Sequence, residues 1–139
     1  MVLLACNTNK RKIYTSECST NIKFKKVSYT HLIDSAKYYD KQYVEVSGKY
    51  VEGKNQSALV NDSTFTNHDN GRSLWVNFTQ DCPLYLVGKH TGLFETEDGE
   101  YNKISDRHMT IRGRIEITKK WHKNAYKATI NEVSYLELD

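Results

Sequence analysis

Catalysis needs a nucleophile, base or acid pair that converges, and few side chains here can converge by spacing. The five histidines stand at 31, 68, 90, 108 and 122, without the close pairs of a zinc site, and no Cys-x-x-Cys is present. Glu95, Glu97, Asp98 and Glu100 cluster, but without the ligand spacing of an EF-hand loop, and read as solvated loop acids. Cys82 precedes Pro83 and has no evident partner base. Gly-x-Ser-x-Gly, His-Glu-x-x-His and Gly-rich phosphate loops are all missing. We therefore expect no enzyme, no catalytic residue, no metal and no cofactor. Binding chemistry is better represented. Trp75 can stack on a flat ligand, and Arg112 and Arg114 are cations two residues apart. If their strands adjoin, the three make a stacking-plus-cation site for single-stranded nucleic acid. If they do not, Trp75 covers a neighbouring loop and the arginines are solvated.

These residues depend on strands to position them. Residues 43–51 alternate, with Val44, Val46, Gly48 and Tyr50 on one face and Tyr43, Glu45, Ser47 and Lys49 on the other. A short strand over 56–62 follows, with Leu59 as its core residue, and a third over 73–79 turns Leu74, Val76 and Phe78 inward and Trp75 outward. The strongest alternation is 108–118, where Met109, Ile111, Gly113, Ile115 and Ile117 face the core and Arg112 and Arg114 face out. A last strand starts near Ala125, and the phase change between Ile130 and Val133 predicts a bulge near Asn131 or a break. Gly48 inside a strand suggests a bulge or a sharp coil of the sheet, as small barrels need, and Gly113 stands mid-strand in a matching context. Ahead of the strands, Leu32, Ile33, Ala36 and Tyr39 recur at helical spacing, with Ser28 or Thr30 able to cap. Residues 80–106 read as long loops with a short strand at 84–87.

The net charge of +3 is unevenly spread. Residues 1–27 hold six basic side chains and Glu17, which gives 6 − 1 = +5; residues 28–139 hold 14 basic and 16 acidic, which gives −2. A nucleic-acid-binding domain carries its positive excess on the folded surface, so that partner is disfavoured. The tail begins Leu3-Leu4-Ala5-Cys6, which resembles a bacterial lipobox, and continues polar to about Thr20. It reads as a flexible basic tether over 1–27, joined to one domain over 28–139. Only five residues precede Cys6, too few for the apolar core of a signal peptide, which leads us to expect a start upstream of Met1. With Cys6 lipidated, Cys18 and Cys82 remain as a candidate disulfide pair across 64 residues. Both can equally be free thiols.

The run Leu32-Ile33-Asp34-Ser35-Ala36-Lys37-Tyr38-Tyr39-Asp40-Lys41-Gln42-Tyr43-Val44-Glu45-Val46-Ser47-Gly48 resembles the entry to OB-fold domains of the tRNA-anti-like kind. In these a short helix ending A-x-K-Y-x-x-K leads into a V-x-V-x-G strand. Ile111-Arg112-Gly113-Arg114-Ile115 and residues 130–138 are similar to the last two strands of that fold. The usual helix between its third and fourth strands is not evident; here the helix comes first. The resemblance implies a mainly-β domain, a five-stranded OB-like barrel preceded by a short α-helix. Such domains occur in small bacterial envelope lipoproteins, which implies a non-catalytic binding module. Its partners would be a membrane, through a lipid on Cys6, and an envelope protein or oligomeric ligand. A chance match at Cys6 would leave a cytoplasmic protein, with single-stranded nucleic acid as the alternative ligand.

Overall fold

The computed structural model describes residues 12–19, 21–53, 56–61, 73–78, 82–87, 92–93, 104–117 and 126–139. The elements run β1 (Lys12–Thr15), β2 (Lys25–Lys26), α1 (Tyr29–Asp34), β3 (Tyr43–Gly53), β4 (Gln56–Val60), β5 (Leu74–Val76), β6 (Tyr85–Leu86), β7 (Arg107–Glu116) and β8 (Ala128–Leu138). Five of them close a barrel. β3 pairs antiparallel with β4, β4 with β5, β5 parallel with β8, β8 antiparallel with β7, and β7 returns to β3. The result is a mainly-β, five-stranded, OB-like barrel with one short helix before it.

The two glycines explain how so few strands close. β3 is shared, pairing with β7 over Tyr43–Tyr50 and with β4 over Lys49–Gly53. At the changeover the backbone of β4 lies against Gly48, where a Cβ would stand 2.7 Å from the Val60 carbonyl oxygen. Gly113 has the same relation to β8, with a Cβ position 2.6 Å from the Asn131 carbonyl oxygen. There the register shifts: Arg112 faces Tyr135 but Arg114 faces Asn131, so β8 carries the extra residues. Glu132, in that bulge, takes φ 52°. This is the phase change expected near Asn131, in the form of a bulge and not a break.

Val44, Val46, Tyr50, Leu59, Leu74, Val76, Met109, Ile111, Ile115, Ile130, Leu136 and Leu138 fill the barrel. α1 is shorter than its apolar spacing predicts. It ends at Asp34 and a 3-10 turn over Ala36–Tyr39 carries the remaining contacts. The Ser28 side chain caps it by accepting from the His31 amide at 3.3 Å. Leu32, Ile33, Ala36 and Tyr39 are all buried in the barrel's own core. The amides of Lys41 and Ile115 bond the carbonyls of Ile115 and Gln42, fixing this segment where β3 starts and β7 ends.

The tail differs from the flexible tether expected over 1–27. Residues 1–11, Cys6 among them, lie outside the described residues. From Lys12 the chain joins the sheet: β1 pairs antiparallel with β8 on one side and β6 on the other. Tyr14 is 1% exposed, and β2 lies parallel to the start of β3. The physical reason is an open edge. β5 covers only the first part of β8, and β1 satisfies the backbone groups of Tyr135–Leu138. Cys18 and Cys82 are disulfide-bonded, with Cα atoms 5.7 Å apart. Of the loop expected over 80–106, little is described: β6 sits inside the predicted 84–87, and Leu84, Leu93 and Ile104 are buried. The acidic cluster at 95–100 lies outside the described residues.

Candidate functional site

Alternation along the strands sets which side chains leave the barrel, and strand order sets which of them meet. Trp75 leaves the barrel from the middle of β5, between Ala58 of β4 and Thr129 of β8. It is half-buried, and the Tyr126 ring meets it edge-on at 5.2 Å. Ala58 and Val60, which point out of β4 beside it, are buried. Trp75 therefore borders a covered patch.

Arg112 and Arg114 project from β7, and β8 separates β7 from β5. The β7 residue level with Trp75 across Thr129 is Glu116, an acid. The structure thus brings Arg112 and Arg114 together on one face and does not bring Trp75 to them. A polar thread runs between the two regions. Asn77 donates to Asn131 at 2.9 Å, Asn131 donates to Glu116, and Glu116 lies 3.8 Å from Arg114.

Arg112 is held on three sides. Its Nε donates to Glu45 Oε1 at 2.7 Å, and its guanidinium lies 4.0 Å over the Tyr135 ring. Phe24 lies 6.0 Å from it and packs edge-on against Tyr43. These contacts follow from register: Lys26, Glu45, Arg112, Tyr135, Thr15 and Tyr85 form one row across β2, β3, β7, β8, β1 and β6. Tyr135 donates to Glu137 at 2.7 Å. Burial raises its pKa, and the hydrogen bond and charge of Glu137 add to the rise. Arg114 lies 3.9 Å from Glu132, which also accepts from Tyr43 at 3.1 Å. Among the described residues each arginine thus has an acid beside it, Glu45 hydrogen-bonded to Arg112 and Glu116 and Glu132 within 3.9 Å of Arg114.

The Arg112–Glu45 pair is half-exposed, its side chains 38% and 16% accessible. A double-mutant cycle with Arg112→Met and Glu45→Gln, read by urea unfolding, should give a coupling of about 0.5–1 kcal/mol. Tyr135→Phe should leave that coupling in place, because the ring and not the hydroxyl carries the cation–π contact.

Sequence reasoning found Trp75, Arg112 and Arg114 as outward residues but missed Glu45, Tyr135 and Phe24 as their surroundings. The alternation of 43–51 had already set Glu45 outward; only strand order could pair it with Arg112. Among the described residues no group of three or more His, Cys, Asp or Glu is arranged to hold a metal. No protein-family model, curated protein or solved structure matches the chain.

Proposed function

We propose that this chain is a non-catalytic binding module of a bacterial envelope lipoprotein, an OB-like domain of the tRNA-anti-like kind anchored through a lipid on Cys6. The observation that carries the reading is the Cys18–Cys82 disulfide. Of three cysteines, two are bonded to each other, and the third stands in the lipobox-like Leu3-Leu4-Ala5-Cys6. Structural disulfides persist in oxidising compartments, the bacterial envelope among them. The ion-paired surroundings of Arg112 and Arg114 favour a protein or other oligomeric ligand over nucleic acid. OB-folds bind on the outer face of their middle strands and with their loops; here the β4 part of that face is covered at Ala58 and Val60, which leaves the half-buried Trp75 of β5 at its border as the ligand-binding candidate.

The test is expression in a bacterium behind a signal sequence joined at Val2, with labelled palmitate. The expected result is label in the membrane fraction for the native chain and none for Cys6→Ser. Unlabelled native protein would overturn the anchor. A second arm titrates labelled single-stranded oligonucleotides at low salt, where backbone contacts are strongest. We expect no binding. Salt-dependent binding lost on Trp75→Ala would replace the proposed ligand class with nucleic acid.

A further inference from the structure

We infer that the outer edge of β2, with the turn that follows α1, binds an extended acidic segment of a protein partner, which adds to the sheet as a further strand. The inference goes beyond the anchor reading and needs neither a lipid on Cys6 nor Trp75. Its first support is charge. Lys23, Lys25, Lys26, Lys37 and Lys41 are all exposed. Against these five the stretch 23–41 holds two acids, Asp34 and Asp40, an excess of +3. Asp40 is already engaged, accepting the Ile117 amide at 3.0 Å. Among the described residues the ion pairs fall at His108, Arg112 and Arg114, and none takes any of these lysines. Lys25 and Lys26 count in the positive excess of the tail, yet they are sheet residues, level with Val44 and Glu45 of β3. Tyr39 joins the two groups of lysines. Lys25 Nζ lies 5.7 Å over its ring, and Lys37 and Lys41 stand two residues to either side of it.

The second support is a backbone edge. Among the described residues β2 is a terminal strand of the sheet, with β3 on one side. The Val27 amide bonds the Glu45 carbonyl at 2.9 Å. Backbone groups alternate in direction along a strand paired on one side, so the amide and carbonyl of Lys26 face away from β3. Such an edge accepts an extended peptide through main-chain hydrogen bonds, and the flanking side chains select which peptide. Lysines on an edge keep two like edges apart, and the same lysines favour a strand that carries acids. A nucleic acid fits this corner less well. Its bases need open aromatic faces, but Lys37 Nζ lies 5.2 Å over the Tyr38 ring, as Lys25 Nζ lies over Tyr39. Its phosphates bring acceptors only, which leaves the Lys26 carbonyl unmet.

The experiment titrates the full oxidised chain into a fluorescein-labelled octapeptide in which Glu alternates with Val and Thr. We expect saturable binding that weakens with salt. Lys25→Gln, Lys26→Gln and Lys37→Gln together should weaken it by about tenfold, the sum of three modest exposed pairs. The peptide with Gln in place of Glu should bind the native chain as weakly, which repeats the test without altering the protein. At saturation, solvent exchange of the Lys26 amide should slow by at least about tenfold, a change that charge attraction alone would not produce. No binding, binding indifferent to the lysines, or binding that leaves the Lys26 amide as it was would each overturn the added strand. Equal or tighter binding of an eight-nucleotide single strand, or of phosphatidylglycerol vesicles, would overturn it too and give the surface to nucleic acid or to lipid. Failure of palmitate labelling would leave these outcomes in force, so the anchor and this surface fail separately.

Discussion

Gly113→Ala should lower the unfolding free energy by about 1–3 kcal/mol, although it adds one methyl group to a barrel strand. The added Cβ would stand 2.6 Å from the Asn131 carbonyl oxygen and 2.7 Å from Ile130 Cγ1. A flexible side chain could retreat, but a backbone carbonyl cannot. Asn131 sits in the β8 bulge, its side chain bonded to Glu116 and Asn77, so the strand has little freedom to move outward. We expect the upper half of that range. Gly48→Ala should act in the same direction, since its Cβ would meet the Val60 carbonyl oxygen at 2.7 Å and Leu59 Cγ at 2.9 Å. Thr129→Ala, on the outer face of β8, is the control and should change stability by no more than about 0.5 kcal/mol. Urea midpoints at constant m-value would measure all three. A Gly113→Ala protein as stable as the Thr129→Ala one would mean that the strands are farther apart at this point than the structure has them.

The same two glycines show how much of the barrel could be read in advance. Strict alternation over 43–51 and 108–118 announces two long strands with one buried face, and a glycine on that face has no side chain to bury. It is there because another backbone is close, and that reasoning needs no knowledge of the partner strand. The bulge near Asn131 was legible for a similar reason, because the apolar phase changes within one continuous run. β1 was not legible. Lys12-Ile13-Tyr14-Thr15 is four residues in a polar stretch, too short for a period, and its strand character comes from the open edge of β8 over 120 residues later. Leu84 lies inside the short strand expected at 84–87, whereas Leu93 and Ile104 fall in the stretch read as loop, and Ile104 is a single apolar residue among polar neighbours. At the candidate site, alternation assigned Trp75, Arg112 and Arg114 to the outside correctly. What it could not supply was strand order. β8 lies between β5 and β7, so the cation that would have completed a stacking site faces Glu45 and Tyr135 instead.

Reduction of Cys18–Cys82 should cost more than any other single change considered. The bond closes 64 residues, and the chain-entropy model gives about 4 kcal/mol for a loop of that length. That is a large share of the ~5–15 kcal/mol that holds an ordinary domain folded. Most of the effect acts on the unfolded chain, because the five-strand ring closes without either cysteine. A local effect should accompany it. Cys18 follows β1 and Cys82 precedes β6, and these strands hold each other on the β8 edge by a few backbone bonds. Without the bond, amides of β1 and β6 should exchange faster by a larger factor than those of β3 and β7, whose opening follows the whole barrel. Chemical unfolding with and without dithiothreitol measures the global term, and native-state hydrogen exchange the local one. Cys18→Ser and Cys82→Ser should each reproduce the reduced protein and no longer respond to reductant. A native chain whose midpoint ignores dithiothreitol would remove the stabilising role of the bond. The physical reason to assign the chain to an oxidising compartment would go with it. A shift of the expected size would mean that in a reducing compartment the domain loses a stabilisation of the same order as its whole margin.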